Sequence, residues 1–68
     1  MQTRRAWNIT ARVLVAGDGT LQQKTIREIV DVERIDTAIK LMLDSINCGP
    51  VEAIDVRPIY LLHSNHPN

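Results

Sequence analysis

The sequence predicts a small α+β domain of element order ββαβ, in which a three-stranded antiparallel sheet of order 2-1-3 carries one helix on one face. Two patterns lead there. Between Glu33 and Asn47 the apolar residues Ile35, Ala38, Ile39, Met42, Leu43 and Ile46 recur at i, i+3, i+4, i+7, i+8 and i+11. At about 100° per residue they fill one arc of roughly 140°, the stripe of a helix laid on a partner surface. The segments on either side alternate apolar and polar residues, as strands do, and so supply that surface.

The first strand spans Ala6 to Ala16, with Trp7, Ile9, Ala11, Val13 and Val15 on one face and Asn8, Thr10, Arg12 and Leu14 on the other. Ala16-Gly17-Asp18-Gly19-Thr20 suits a hairpin connection, because glycine and aspartate tolerate positive φ. A second strand lies within Gln22–Val32; its inward set, Ile26, Val30 and Val32, also carries Glu28 inward and sends Arg27 and Ile29 outward. That conflict predicts a bulge or an edge strand near Glu28. Asp31 or Glu33 begins the helix, where an acid suits the dipole. Asn47-Cys48-Gly49-Pro50 ends it, and a third strand, Val51–Pro58, follows with Ile54 and Val56 inward and Val51, Ala53, Asp55 and Arg57 outward. Pro58 places this strand at an edge. A right-handed crossover that skips one position then puts the Trp7 strand in the centre. The predicted core comprises Trp7, Ile9, Val13, Val15, Ile26, Val30, Val32, Ile35, Ile39, Met42, Leu43, Ile46, Ile54 and Val56.

With 68 residues the chain reads as one domain, residues 1–68, with Met1–Arg5 and His63–Asn68 as flexible tails. So small a core leaves little stability after chain ordering, and the lone Cys48 offers no internal disulfide. Oligomerisation is the remaining source of stability. The absence of a signal-peptide pattern and the unpaired cysteine are read as a soluble, cytoplasmic protein. Eight basic and eight acidic residues cancel, so charge does not argue for a general binder of nucleic acid or membrane.

No catalytic constellation emerges. The acids are scattered over hairpin, strands and helix, and Cys48 sits at a helix C-terminus, the wrong end of the dipole to favour a thiolate. His63, His66 and Cys48 lack the close-spaced pairs of a structural zinc site. Gly17-Asp18-Gly19 leads into a strand, whereas phosphate loops lead into a helix. The chain is therefore read as non-enzymatic, without cofactor or metal.

What remains is the sheet face that the helix leaves bare. Arg12, Arg27 and Arg57 point to it together with Leu14 and Ile29, and Leu41, Ile59 and Leu61 extend the unexplained apolar surface. Apolar centres with arginine at the margin are the composition of a protein interface. A nucleic-acid surface is the alternative; it lacks an aromatic side chain to stack a base and shares its face with Asp31 and Asp55. In plan, with the strand-to-helix passage Thr25–Met42 and the strand Val51–Pro58, the chain resembles small proteins carried by phages and mobile elements, such as anti-CRISPR proteins and phage-encoded inhibitors of host regulators. The resemblance implies a module that binds and modulates or inhibits a partner protein. A homodimer is also expected, through the bare face or the Ile59–Leu62 segment.

Overall fold

The computed structural model describes residues 2–63 of the chain. β1 (Gln2–Ala16), β2 (Leu21–Val30), α1 (Ile35–Ser45) and β3 (Val51–His63) follow one another in the order ββαβ. The strands form one antiparallel sheet of order β2-β1-β3, so the Trp7 strand is central as its alternation requires.

The β1–β2 ladder runs without a shift from Trp7↔Val30 to Ala16↔Leu21. Cross-strand partners share a face. Ile26, Glu28 and Val30 therefore stand with Ala11, Ile9 and Trp7, while Arg27 and Ile29 stand on the other side. Glu28 needs no bulge, because β2 is an edge strand and the carboxylate stays exposed there. The hairpin closes with Gly17 N–H donating to Thr20 O over 2.7 Å, and Gly19 takes a φ of 76°, which glycine adopts without steric cost.

The bulge lies elsewhere. On β3, Ala53 pairs with Arg12 but Val51 pairs with Val13, so the register slips by one residue at Glu52. The slip reverses the side on which the preceding residue stands. Val51, expected to face outward, is instead half-buried against the core.

The first and last strands of the expectation were too short. β1 begins at Gln2 and β3 continues through Pro58 to His63, so residues 2–5 and 63 belong to the sheet and are not tails. An edge strand accommodates proline where the ladder does not call on its N–H. Beyond Pro58 the ladder is held by Arg5↔Tyr60, Arg4↔Leu61 and Thr3↔Leu62, and the Arg5 guanidinium lies 5.8 Å from the centroids of both Trp7 and Tyr60. The expected tail at residues 64–68, and Met1, lie outside the described residues. The described strands account for the elongated shape, 56 × 24 × 16 Å, since the 15 residues of β1 at ~3.3 Å each span about 50 Å.

α1 lies over β1 and β2. Trp7, Ile9, Ala11, Val13, Ala38 and Met42 form the buried core, with Val15, Ile26, Val30, Val32, Ile46, Val51 and Val56 packed around them; Ala6, also buried, pairs with Ile59 on the other face. The helix is shorter than its stripe suggests. It starts after Arg34, which makes no side-chain cap, and ends at Ser45, whose hydroxyl donates to Met42 O over 2.7 Å. Of the predicted core, Ile35, Leu43 and Ile54 are exposed; the helix is seated on the Ala38–Met42 line.

Candidate interaction surface

The face of the sheet opposite α1 has no covering element among the described residues. The pairing lays it out in rows: Ile29–Asn8–Arg57, Arg27–Thr10–Asp55 and Thr25–Arg12–Ala53. Thr10 is thus framed by arginines from all three strands. They surround an open depression of about 630 Å³. Arg57 Nε donates to Asp55 Oδ2 over 3.2 Å, which cancels that charge locally. Arg12 and Arg27 take part in none of the ion pairs among the described residues, so their guanidinium groups remain available to an anionic partner.

Apolar residues close both ends of this face. Leu14 lies toward the hairpin, and Ile59 and Leu61 lie toward the far end of β3, all half-buried. Ile29 is 59% exposed at the β2 margin. At the far end Arg4 Nη2 pairs with Asp31 Oδ2 at 2.6 Å, so the Asp31 expected to oppose the arginine cluster is already engaged. Arg12, Leu14, Arg27, Ile29, Arg57, Ile59 and Leu61 are therefore one surface. Leu41 is not part of it: it lies on α1, in the other layer, and is 48% exposed.

The helix side of β3 holds a second apolar row that sequence reasoning treated only in part. Val51, Ile54, Val56, Pro58, Tyr60 and Leu62 share that side with Val13, Ala11, Ile9, Trp7, Arg5 and Thr3. The alternation from Ile54 through Leu62 was the available signal, and the early stop at Pro58 hid it. Both described aromatics, Trp7 and Tyr60, stand on this side and leave the arginine face without a stacking platform. Trp7 is buried, and its Nε1–H has no acceptor among the described residues.

Among the described residues no cluster of three or more His, Cys, Asp or Glu side chains comes together. Cys48 is exposed in the loop after α1, and His66 lies outside the described residues. The Asp36 carboxylate is held below its ordinary pKa chiefly by its hydrogen bonds from Arg34, an arrangement at the start of α1 remote from any cleft chemistry. Among the described residues no helix is long and apolar enough to cross a membrane.

These features define a small α+β protein whose sheet, among the described residues, is uncovered on one side and carries arginines outside its ion pairs. No family model matches the chain, and no curated protein or solved structure is significantly similar to it.

Proposed function

We propose that the chain is a non-enzymatic protein-binding module that docks its uncovered sheet face on an acidic surface of another protein, and modulates or inhibits that protein by occupying it. Arg12 and Arg27, unpaired beside Thr10 and bounded by Leu14, Ile29, Ile59 and Leu61, carry this reading. Charged anchors within an apolar frame give both orientation and desolvated contact area. The resemblance in type to small inhibitors borne by phages supports it, and a homodimer belongs to the same reading.

Affinity capture with the full chain and with the double variant Arg12→Glu/Arg27→Glu tests it. The expected result is a stoichiometric protein partner held by the first and lost by the second. The unpaired arginines also suit phosphate, and capture of nucleic acid in place of protein, with affinity falling steeply as salt rises, would establish that second reading. Cys48→Ser is expected to leave binding unchanged; loss of function in a folded Cys48→Ser variant would revive an enzymatic role.

A further inference from the structure

The two margins of the sheet are not alike. Gly17 N–H donates to Thr20 O just beyond the last pair of the β1–β2 ladder. Hydrogen-bonded and non-bonded pairs alternate along an antiparallel ladder. The even-numbered residues of β2, Gln22 to Val30, therefore bond to β1, while Leu21, Gln23, Thr25, Arg27 and Ile29 turn their N–H and C=O groups to the open margin. Leu14 N–H reaches Pro50 O on the other side of β1, as the same alternation requires.

The β2 margin is regular. Its 10 residues pair without a register shift and include neither proline nor glycine, and β1 is the only strand beside it among the described residues. The β3 margin is interrupted: by the same alternation Pro58 turns its nitrogen, which carries no hydrogen, outward midway along the strand, and the register slips at Glu52. An uninterrupted row of free donors and acceptors is a template for another strand.

We infer that the strand it takes is β2 of a second copy of the chain, antiparallel about a two-fold axis at Ile26, so that two sheets become one of six strands in the order β3-β1-β2-β2-β1-β3. The inference rests on the homodimer of the preceding section and deepens it by naming the edge and the register. It does not depend on what the arginine face binds.

Charge selects both the occupant and the register. Lys24, Arg27 and Glu28 are the charged residues of β2. Lys24 and Glu28 stand exposed on the helix side and take part in none of the ion pairs among the described residues. Four positions apart on one strand, they are separated by about 13 Å and do not meet within the protomer. With the axis at Ile26, Lys24 stands opposite Glu28 of the second copy and Glu28 opposite its Lys24, on either side of an Ile26–Ile26 contact. Opposite charges directly across a ladder stabilise it. A lysine at an edge ordinarily discourages pairing; the self-paired strand supplies its counter-charge.

On the other side Arg27 faces Thr25 of the second copy and Gln23 faces Ile29. The two Arg27 residues are diagonal neighbours, about 7–8 Å apart, from which long side chains turn away toward solvent. Other axes lose the match. Centred on Thr25, the pairing sets Lys24 against Ile26 and Glu28 against Gln22; centred on Lys24 or Arg27, it sets that residue against itself. The Ile26 register closes about eight backbone hydrogen bonds, two for each pairing of Gln23 with Ile29 and of Thr25 with Arg27. Because α1 lies over β1 and β2 alike, its two copies come to stand about 10 Å apart on one side of the joined sheet, a distance at which helices fit side by side.

Light scattering on the full chain over a micromolar concentration series tests the inference against a protomer mass of 7.7 kDa. The expected mass is that of two chains. Lys24→Glu and Glu28→Lys each turn two attractive pairs into two repulsive ones, and each alone should raise the dimer dissociation constant about tenfold. Both sites are exposed, so the far-UV circular dichroism spectrum should not change. An equimolar mixture of the two variants restores opposite charges at every crossing and should return the dissociation constant to that of the unmodified chain; Lys24→Glu/Glu28→Lys should do the same and carries the test if one single variant does not fold. A single-chain mass for the unmodified protein overturns the inference. A dimer that neither single change weakens overturns it, as does one that both weaken and neither the mixture nor the double variant restores. Partner capture by Arg12 and Arg27 is read separately, and a single-chain protein that still captures its partner leaves the sheet-face reading standing.

Discussion

Gly49 lies so close to the Leu14 backbone that a Cβ at this position would overlap the Leu14 carbonyl oxygen. The same stretch is tied by Leu14 N–H donating to Pro50 O over 3.0 Å. Gly49 is thus required for close approach between the loop after α1 and β1, and not for a left-handed helix terminus, since the only positive φ recorded for a glycine is at Gly19. Gly49→Ala is expected to destabilise the fold by about 1–3 kcal/mol, the range of overpacking. Urea denaturation measures it; Gly17→Ala, whose Cβ would meet nothing closer than 3.4 Å, serves as the milder comparison.

Trp7 combines a large buried ring with a donor that finds no acceptor among the described residues. Leaving such a group without a partner costs about 1–3 kcal/mol. Trp7→Phe removes the donor and loses some packing, so the terms oppose each other and the expected net change is under about 1 kcal/mol. Trp7→Ala, which loses the ring altogether, is expected to cost about 3–5 kcal/mol. Equal denaturation midpoints for the two variants would contradict this account.

Met42 is 1% exposed and is the principal side chain by which α1 holds the sheet. Met42→Ala is expected to cost about 2–5 kcal/mol. A single core of this size rarely supplies more than about 3–5 kcal/mol, so the variant should be largely unfolded at 25 °C by circular dichroism. Lys40→Ala, on the exposed side of the same helix, should stay within about 0.5 kcal/mol of the unmodified chain.

Arg34 donates to both carboxylate oxygens of Asp36, through Nε at 3.1 Å and Nη2 at 3.0 Å, and lowers its pKa. A folded-state pKa below the unfolded one stabilises the fold above the unfolded value, and the contribution is lost as pH falls through the folded value. This pair therefore weakens only in acid, below about pH 4, and is constant through neutrality. Arg34→Gln should move the Asp36 pKa upward toward its ordinary value, read by a carboxyl-carbon NMR titration.

Period and alternation carried the topology, because side-chain burial imposes them directly: the Ile35–Ile46 stripe located the helix, and Trp7 to Val15 located the central strand. They also placed Arg27 and Ile29 on the sheet face despite the apparent conflict at Glu28. The slip at Glu52 left no local mark, since it arises from how β3 meets β1 around the Leu14–Pro50 hydrogen bond, and Val51 was accordingly placed on the wrong side. The start of α1 was obscured because Arg34 supplies no side-chain cap. Seating of the helix over β1 and β2 depends on three-dimensional packing, so the exposed row on β3 could not be read from its own residues.

The central position of β1 also orders events in time. Its pairing with β2 closes across the short turn that joins Ala16 to Leu21, whereas its pairing with β3 joins residues as distant as Thr3 and Leu62. Loop-closure entropy rises with the logarithm of the separation, so the hairpin forms at lower entropic cost than the outer ladder. Truncations such as Ile26→Ala should then act mainly on the folding arm of a denaturant chevron, and Val56→Ala mainly on the unfolding arm. On that schedule β3 is the last strand to arrive and the first to leave.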